Sequence, residues 1–341
     1  MLSFENDYSE GAHPRILQKL MQTNMQQEPG YGEDSFTAQA KAKIKSAIDN
    51  PNASVHFLQG GTQTNQIVID ALLKPYEGVI TPDKGHINVH EAGAIEYTGH
   101  KLLALPTVNG KLTAAEVRKY LETFYDDDHH DFMVFPGMVY ISFPTEYGLL
   151  YSKQELTDLH QVCQAYKIPL FIDGARLGYG LMSDEADISF KELAQLCDVF
   201  YIGGTKTGAL CGEAVVFTSD NEPKHFVTIV KQHGALLAKG RLIGIQFLEL
   251  FSDNLYFELS KHADEMAKIV KQGFLKKGYR PYLASATNQQ FFIVEDTKIA
   301  ALAKKVKFAR WLRYDDTHSV IRFSTCWATT EDSVKELLTL I

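Results

Sequence analysis

Short apolar runs alternate with longer segments of helical spacing between residues 55 and 244. The runs are rich in β-branched and aromatic residues, and several end in glycine or in a polar cluster, which is typical of strands. Strands that alternate with helices predict an α/β fold with a mostly parallel sheet and helices on both faces. The predicted strands are VHFLQGG (55–61, ending in a glycine turn), GVIT (78–81), KLLAL (101–105), MVYISF (138–143), IPLFID (168–173), VFYIGG (199–204) and EAVVF (213–217).

Helical spacing and capping residues predict the segments that connect these strands. Residues 114–124 repeat apolar positions with the period of a helix. Ser152 with Glu155, and Ser189 with Glu192, are the serine–glutamate pairs of a capping box, so two further helices begin there. The first of these is predicted to run to Lys167 with one apolar face, formed by Leu156, Leu159, Val162, Cys163 and Tyr166.

The pattern changes from about residue 245. A long helical region is predicted to reach Gly278, followed by strand, helix, two strands and a final helix. We therefore predict a large domain over 18–244 and a smaller C-terminal α/β domain over 245–341, joined by the N-terminal segment 1–17. No glycine-, serine- or proline-rich linker marks the border, so the two parts are expected to pack together.

Composition narrows the class of protein. The chain has 341 residues, of which 45% are hydrophobic and 22% charged, as in ordinary globular proteins. A formal net charge of -8 argues against a nucleic-acid partner or an anionic membrane surface. The N-terminus lacks the apolar run of a signal peptide, and no apolar stretch is long enough to span a bilayer. Four scattered cysteines without zinc spacing predict reduced thiols, no metal site and a cytoplasmic location.

A glycine turn is the first candidate binding feature. Gly60, Gly61 and Thr62 follow a strand and precede a segment of helical spacing at 63–73. Backbone N–H groups at a helix N-terminus bind phosphate, so this turn is a candidate phosphate cradle, although alone the motif is more typical of a plain turn. It matches neither a dinucleotide fingerprint nor a Walker loop, which disfavours a dehydrogenase or an ATP-binding enzyme.

Asp173 and Arg176 form the second feature. Asp173 ends the apolar run IPLFID, where its carboxylate would be buried and in need of a partner. Two interpretations remain open. The residues pair with each other inside the core, or Asp173 pairs with a protonated ring nitrogen and leaves Arg176 free for a substrate carboxylate.

The third feature is a lysine that follows the next strand. Lys206 stands among Gly203, Gly204, Thr205 and Gly208, which suggests room for a bulky group to reach its amine. Lysine amines form Schiff bases with aldehydes, and pyridoxal 5'-phosphate is the cofactor that uses this chemistry most often. Phosphate cradle, acidic partner and lysine occur in the order that such a site requires.

These motifs belong to a wider resemblance that runs almost from end to end. The chain resembles the low-specificity L-threonine aldolases of the β-eliminating lyase family, which have the aspartate-aminotransferase-like fold (fold type I) of pyridoxal phosphate enzymes. DGAR followed about thirty residues later by GGTK is the most specific part of the match. The matching segments are FENDYSEGAHPRIL (4–17), GYGEDSFT (30–37), FLQGGTQTN (57–65), GHINVHEAGA (85–94), TEYGLLYSKQEL (145–156), LFIDGARLG (170–178), GGTKTG (203–208), KGRLIG (239–244) and IRFST (321–325).

The resemblance implies roles for the cofactor-binding residues. Lys206 would carry pyridoxal 5'-phosphate as a Schiff base, and Asp173 would pair with its ring nitrogen and keep that nitrogen protonated. His86 would stack on the ring; His90 is the rival position, which the HxxxxEAG frame disfavours. The remaining matches are Gly60, Gly61 and Thr62 for the phosphate loop and Arg241, from the neighbouring subunit, for the same phosphate.

The resemblance also implies how a substrate is bound. Arg176 and Arg322 match two arginines that hold the substrate carboxylate. Asn6 stands where the family usually has a serine beside this carboxylate, and Tyr8 replaces a small polar residue. Asparagine still donates a hydrogen bond, but its side chain is longer and planar. The two departures bear on substrate identity rather than on the cofactor.

The implied reaction is cleavage of an L-β-hydroxy-α-amino acid, such as L-threonine or L-allo-threonine, to glycine and an aldehyde. The candidates for the base are His86, a nearby water, His129 and His130. A β-eliminating lyase or aminotransferase would use the same lysine, aspartate and arginines, and a non-catalytic binding module is the third alternative. The family further implies a homodimer or homotetramer with its active site at the subunit interface.

Overall fold

The computed structural model describes residues 1–341. A short 3-10 turn at His130–Phe132 accompanies the helices and strands. The strands are β1 (Leu2–Ser3), β2 (Ser54–Leu58), β3 (Glu77–Pro82), β4 (Leu102–Leu105), β5 (Phe135–Ser142), β6 (Leu170–Asp173), β7 (Val199–Gly203), β8 (Glu213–Phe217), β9 (Arg280–Pro281), β10 (Gln289–Glu295), β11 (Val306–Lys307), β12 (Ala309–Arg313) and β13 (His318–Ser324). The helices are α1 (Pro14–Thr23), α2 (Ser35–Ala47), α3 (Gly61–Leu72), α4 (His86–Val89), α5 (Ala94–Tyr97), α6 (Ala114–Asp126), α7 (Lys153–Tyr166), α8 (Leu177–Met182), α9 (Phe190–Gln195), α10 (Phe226–Gln232), α11 (Arg241–Leu250), α12 (Leu255–Lys276), α13 (Asp296–Leu302) and α14 (Glu331–Leu340).

The predicted α/β sheet is confirmed. Seven strands lie in the order β2-β8-β7-β6-β5-β3-β4, and all the neighbouring pairs from β7 to β4 are parallel. β8 is the exception, since it pairs antiparallel with both β2 and β7. The parallel strands therefore end at one common edge of the sheet, where the loops after β3, β5, β6 and β7 meet.

Helices cover both faces of this sheet, as the uniformly apolar strands predict. Successive residues of β5 show the two sides: Val139 and Ile141 pack into one buried apolar cluster, whereas Met138 and Tyr140 pack into another. Both clusters are closed to solvent, so side chains at the strand ends are held between two packed layers.

The predicted capping boxes are confirmed at the start of α7 and α9. In each, the serine hydroxyl accepts the backbone N–H of a glutamate three residues later, and that glutamate accepts the serine N–H. Thr113 and Glu116 form a further box at α6. The buried face of α7 consists of Leu156, Leu159, Val162 and Cys163.

A second, antiparallel sheet lies in the C-terminal part of the chain, with strand order β12-β13-β10-β9. The long helical region expected to reach Gly278 is interrupted: α11 ends at Leu250 and α12 begins at Leu255. Asp253 and Asn254 have φ of 52° and 62°, a left-handed conformation that ends one helix before the next begins. No helix is long and apolar enough to cross a bilayer.

The N-terminal segment pairs with the C-terminal part. β1 runs parallel to β11, the Phe4 N–H donates to the Lys307 carbonyl (2.8 Å), and the Phe4 carbonyl accepts the Ser324 N–H (2.8 Å). These contacts join residues 2–4 to the C-terminal part, and the assignment of residues 1–17 to the smaller domain stays a prediction. The division at residue 244 itself stays a prediction.

We expect Phe274→Ala to lower the free energy of unfolding by about 3–5 kcal/mol. Phe274 on α12 is fully buried and stacks on Phe292 of β10 with ring centroids 4.2 Å apart, so truncation leaves a cavity in the C-terminal core. Urea denaturation provides the measurement, with Tyr97→Ala as the control because Tyr97 is 86% exposed. A loss similar to that of the control would contradict the described packing.

Candidate active site

A cavity of about 400 Å³ opens at the carboxyl edge of the large sheet. It lies beyond β5, β6 and β7 and beside the first turn of α3, a position at which α/β sheets bind ligands. Asn6, Arg241 and Arg322 are not part of its lining. The predicted site residues that line it are Gly60, Gly61, Thr62, His86, Asp173, Arg176 and Lys206.

Asp173 is the last residue of β6 and is 4% exposed. Its Oδ2 accepts hydrogen bonds from the Tyr140 hydroxyl (2.6 Å) and from Asn65 Nδ2 (3.0 Å), and its Oδ1 accepts the Ala175 N–H (2.9 Å). Burial raises the pKa of this carboxyl, but the charge of His86 and the donated hydrogen bonds outweigh burial and lower the pKa. Asp173 is therefore an ionised carboxylate inside the core.

Asn65 and Tyr140 were missed by the sequence analysis. Asn65 Nδ2 also donates to Glu91 Oε1 (2.8 Å), so this amide links two buried carboxylates. The available signal was position: Asn65 lies four residues after Gly61, on the same face of α3. Two buried atoms of this network, Asn65 Oδ1 and Glu91 Oε2, have no hydrogen-bond partner in the chain.

His86 begins α4 and is held at two atoms. Its backbone N–H donates to Glu146 Oε1 (2.8 Å), and its Nδ1 lies 2.7 Å from Glu91 Oε1. Burial lowers the pKa of the imidazole, but the hydrogen bond to Glu91 and the charges of Asp173 and Glu91 outweigh it and raise the pKa. With Nδ1–H donated to Glu91, Nε2 is the atom left to exchange protons.

The other candidate bases differ in position. His90 also lines the cavity, with its ring 5.5 Å from that of His86, but it is exposed and has no comparable acidic partner. His129 and His130 lie at the 3-10 turn beside Phe124, outside the cavity lining.

The predicted phosphate loop forms the N-terminus of α3. Gly60 caps the helix, and the N–H groups of the first turn have no acceptor within the helix. A Cβ on Gly60 would project into open space, whereas a Cβ on Gly61 would lie 3.0 Å from the Tyr201 hydroxyl oxygen. Donors and helix dipole together favour an anion at this end of the cavity.

Lys206 lies in the loop between β7 and β8, where its carbonyl accepts the Tyr179 hydroxyl (2.6 Å). Burial lowers the pKa of the amine, and the positive charge of Arg176 lowers it further, against the carboxylates of Asp7, Glu213 and Asp173. A lowered pKa increases the fraction of neutral amine, which is the form that attacks an aldehyde.

Gly203 and Gly204, which precede Lys206, pack closely against neighbouring backbone. A Cβ on Gly203 would collide with the Ala175 backbone, and a Cβ on Gly204 would lie 2.7 Å from the Gly212 carbonyl oxygen. These glycines are needed because β7 and its loop approach neighbouring backbone closely. Close backbone packing therefore explains these two glycines, and room for a bulky group at the Lys206 amine stays a prediction.

Arg176 forms its ion pair with Asp7 and not with Asp173. Its Nε and Nη2 donate to the two carboxylate oxygens of Asp7, at 2.6 and 2.9 Å, and Asn288 Nδ2 also donates to Asp7 Oδ2 (2.9 Å). Burial raises the pKa of Asp7, but the Arg176 charge and hydrogen bonds outweigh it and lower the pKa to about 2. Of the two interpretations left open, the Asp173–Arg176 pair is wrong. Asp7 leaves Nη1 of Arg176 without an acceptor, and binding of a substrate carboxylate there stays a prediction.

Arg322 lies on β13 and stacks 4.9 Å from the centre of the Trp311 ring. Its Nη1 donates to Gln289 Oε1 and its Nη2 to the Glu5 carbonyl, both at 3.0 Å, while its buried Nε has no partner. Burial and the positive charge of Arg176 lower the pKa of Arg322 to about 10, so the two guanidinium groups lie close enough to repel.

Asn6 and Arg241 make local contacts. Asn6 Oδ1 accepts the Tyr8 N–H (3.0 Å) and the Ser9 hydroxyl (2.9 Å), which leaves its amide nitrogen as the free donor. Arg241, at the start of α11, donates to the carbonyls of Thr23 and Gln26, both at 2.6 Å.

The cavity has the donors and acceptors for an anionic aromatic aldehyde. An ionised Asp173 suits a protonated ring nitrogen, the N-terminus of α3 suits a phosphate, and the Lys206 amine suits the aldehyde. No group of His, Cys, Asp and Glu in the structure has the arrangement of a metal site.

Comparison with known proteins agrees with this geometry. A solved structure of threonine aldolase from Leishmania major is 43% identical and superposes with a TM-score of 0.96 over 100% of this chain and 98% of that one. A low specificity L-threonine aldolase from Pseudomonas aeruginosa is 28% identical over 98% of this chain and 95% of its own length. An aspartate aminotransferase from Thermus thermophilus is 12% identical with a TM-score of 0.72 over 99% of this chain and 95% of that one, which shows the fold alone.

The fold is therefore the aspartate-aminotransferase-like fold that the sequence analysis expected. The model of one protein family, described as beta-eliminating lyase, matches residues 8–303, which include the N-terminal Tyr8, the whole large sheet and the cavity. The chain belongs to the beta-eliminating lyase family.

Proposed function

We propose that this chain is a pyridoxal-phosphate-dependent aldolase that cleaves L-threonine, L-allo-threonine or a related L-β-hydroxy-α-amino acid to glycine and an aldehyde. One observation supports the proposal above all: Lys206, Asp173 and His86 line a single cavity with the N-terminus of α3. The likeness of the whole chain to the threonine aldolase from Leishmania major supports the same reaction.

The residues present fit pyridoxal 5'-phosphate. In this proposal Asp173 holds the ring nitrogen, His86 lies against the ring, Lys206 binds the aldehyde, and the loop Gly60–Thr62 binds the phosphate. The buried, ionised Asp173 supports the fit, because a carboxylate with three donors inside a core is suited to a cationic partner. The open space at Gly60 supports it at the phosphate end. When bound, the cofactor supplies an electron sink for the electrons of the broken bond.

The guanidinium groups of Arg176 and Arg322 would bind and orient the substrate carboxylate. Nη1 of Arg176 and Nε of Arg322 are the nitrogens that the chain itself leaves without an acceptor. Asp7 holds the Arg176 plane in place from the opposite edge, so the arginine needs little reorganisation when substrate binds. The amide nitrogen of Asn6 is a further candidate donor to the same carboxylate.

His86 would act on the substrate hydroxyl. Its Nε2 takes the hydroxyl proton while the Cα–Cβ bond breaks, and the former β-carbon leaves as an aldehyde. Return of a proton to Cα gives glycine, so no other reactant is consumed. Glu91, bound at Nδ1, stabilises the imidazolium that forms when Nε2 accepts the proton.

A second candidate is β-elimination on another amino acid, the reaction that the family description itself names, or transamination. These reactions would use the same lysine, aspartate and arginines. Product analysis separates the candidates: the protein loaded with pyridoxal 5'-phosphate is incubated with L-threonine and with L-allo-threonine. Glycine with an equal amount of acetaldehyde supports the aldolase, whereas ammonia with a keto acid, or a keto acid alone, would replace it with one of the alternatives.

A homodimer or homotetramer with the active site at its interface completes the proposal. Arg241 would reach the phosphate of the neighbouring subunit. Arg241 donates to the carbonyls of Thr23 and Gln26, and the nearby side chains of Met21 and Met25 are 79% and 89% exposed. Exposed apolar side chains of this kind support a subunit interface next to Arg241. The four cysteines are free thiols, which supports a cytoplasmic location.

Lys206→Ala is expected to lower turnover of L-threonine at least about 10³-fold, because the amine that binds the cofactor aldehyde is lost. Borohydride reduction followed by peptide mass spectrometry tests the assignment without turnover: the adduct should map to Lys206. Lys224→Ala is the control, since Lys224 is exposed and lies outside the cavity. An adduct on another lysine would overturn the assignment.

Glu91→Gln is expected to move the acidic limb of the pH profile of kcat/KM to lower pH. The hydrogen bond and charge of Glu91 raise the pKa of His86, so their removal lowers that pKa and neutral His86 persists to lower pH. The control is Glu96→Gln, an exposed carboxylate next to the same segment. An unmoved limb in Glu91→Gln would show that His86 is not the base.

Asp7→Asn is expected to destabilise the protein by about 2–4 kcal/mol at pH 7, because the guanidinium of Arg176, whose side chain is 15% exposed, loses the buried carboxylate that balances its charge. The lowered pKa of Asp7 means that its stabilisation is present above about pH 4 and disappears as the pH falls towards 2. The variant should therefore lack this part of the acid dependence, as measured by urea denaturation between pH 2 and 7. Glu5→Gln, an exposed neighbour, is the control.

A further inference from the structure

Glu213 is a buried carboxyl that has no role in the proposed reaction so far. It is the first residue of β8, is 4% exposed and lines the same cavity as Lys206. In the sheet it lies opposite Leu58 of β2 on one side and Gly203 of β7 on the other. β2 leads into the loop Gly60–Thr62, and β7 leads into the loop of Lys206. Glu213 therefore lies between the two segments that would hold the phosphate and the aldehyde of the cofactor.

Hydrogen bonds fix this carboxyl at the start of the lysine loop. One oxygen accepts the Gly204 N–H (3.0 Å), and the other accepts the Thr205 hydroxyl (2.8 Å). Thr205 Oγ1 in turn accepts the Gly212 N–H (3.1 Å), which closes the loop on itself. The carboxyl cannot swing away from the cavity without breaking these bonds.

Burial and the nearby charges bring the pKa of Glu213 close to neutral pH. Burial raises its pKa to about 7, and nearby Asp173 raises it, against Lys206 and the hydrogen bonds of Thr205 and Gly204, which lower it. The neighbouring side chains Tyr201 of β7 and Tyr256 of α12 are neutral phenols whose own pKa values are raised by burial and by Glu213. Lys206 is thus the cation, and Asp173 the anion, that act on this carboxyl.

We propose that Glu213 takes up a proton when a phosphate group binds at Gly60–Thr62, so that capture of the cofactor is coupled to protonation of this carboxyl. The inference rests on the proposed function, which puts the phosphate at that loop. A phosphate at Gly60–Thr62 brings up to two negative charges to the end of β2, the strand that pairs with β8 at Glu213. A nearby negative charge favours the neutral, protonated form of a buried carboxyl such as Glu213. The proton comes from the solvent, and no bond to the cofactor is involved.

The proposal predicts how the affinity for the phosphate ligand changes with pH. As the pH rises through the pKa of Glu213, the free protein loses a proton that the complex retains, so binding becomes weaker. Between pH 6.5 and 8.5 the affinity should fall by about tenfold or more through this group. At pH 7.5 each binding event should take up about half a proton or more at Glu213.

The test uses apoprotein and pyridoxine 5'-phosphate, which has the ring and the phosphate but no aldehyde to react with Lys206. Isothermal titration calorimetry in buffers of different ionisation enthalpy gives the affinity and the number of protons taken up. Unphosphorylated pyridoxine is the matched ligand. Both ligands have the ring nitrogen that Asp173 would keep protonated, so the wild-type protein is expected to take up more protons with pyridoxine 5'-phosphate than with pyridoxine.

Two variants assign the proton to a residue. Glu213→Gln keeps the shape of the side chain and can still accept from Gly204 and donate to the Thr205 hydroxyl, but it does not titrate. Glu146→Gln is the control, because Glu146 is a buried carboxyl of raised pKa that lines the same cavity beside His86, several strands away from β2. Proton uptake should fall in Glu213→Gln by about half a proton or more and persist in Glu146→Gln.

Each outcome decides one part of the proposal. Tight binding of pyridoxine 5'-phosphate with no more proton uptake than pyridoxine causes in the wild-type protein would overturn the role of Glu213 and leave the cofactor site intact. Loss of uptake in Glu146→Gln, with uptake preserved in Glu213→Gln, would move the role to Glu146. If pyridoxine 5'-phosphate binds no better than pyridoxine, the phosphate loop is wrong and the inference about Glu213 falls with it. Even if Glu213→Gln does not fold, the absence of extra proton uptake in the wild-type protein would still overturn the proposal.

Discussion

Asp173 carries a negative charge in the middle of an α/β core, where it would be unstable without compensation. The compensation comes from three different elements: the Tyr140 hydroxyl on β5, the Asn65 amide on α3, and the charge of His86 on α4. Asn65 extends the network to Glu91, which in turn holds His86. Because each group is buried, removal of one leaves another without its partner, so the sheet edge, α3 and α4 are held in one arrangement.

A second buried charge organises the other side of the cavity. Asp7, Arg176 and Asn288 come from the N-terminal segment, the end of β6 and the C-terminal part of the chain, and they meet through charge-assisted hydrogen bonds. This contact joins three distant segments next to the groups proposed to bind the substrate carboxylate. The packing of the N-terminal segment is thereby linked to the position of Arg176.

The two networks give the cavity a mixed electrostatic character. Carboxylates line its inner wall, whereas Lys206 and Arg176 supply positive charge, and the N-terminus of α3 supplies the positive end of a helix dipole. Burial, together with the positive charge of Arg176, lowers the pKa of Lys206 and of Arg322, while burial and the charge of Asp173 raise the pKa of Glu213 and of Glu146. Glu213, whose pKa is raised to about 7, is consequently able to exchange a proton near neutral pH.

The sequence by itself determined the strand–helix alternation, the capping boxes at Ser152 and Ser189, and the positions of Lys206 and Asp173 at strand ends. These features are local, since they depend on residue spacing within one element. Only the tertiary structure decided which groups meet: Asp7 with Arg176, 169 residues apart, and Asn65 with Asp173, 108 residues apart. It also decided that β8 runs antiparallel, which brings Glu213 between two loops. The reason is that hydrogen bonds and charges between distant segments depend on strand order and packing, which residue spacing does not encode.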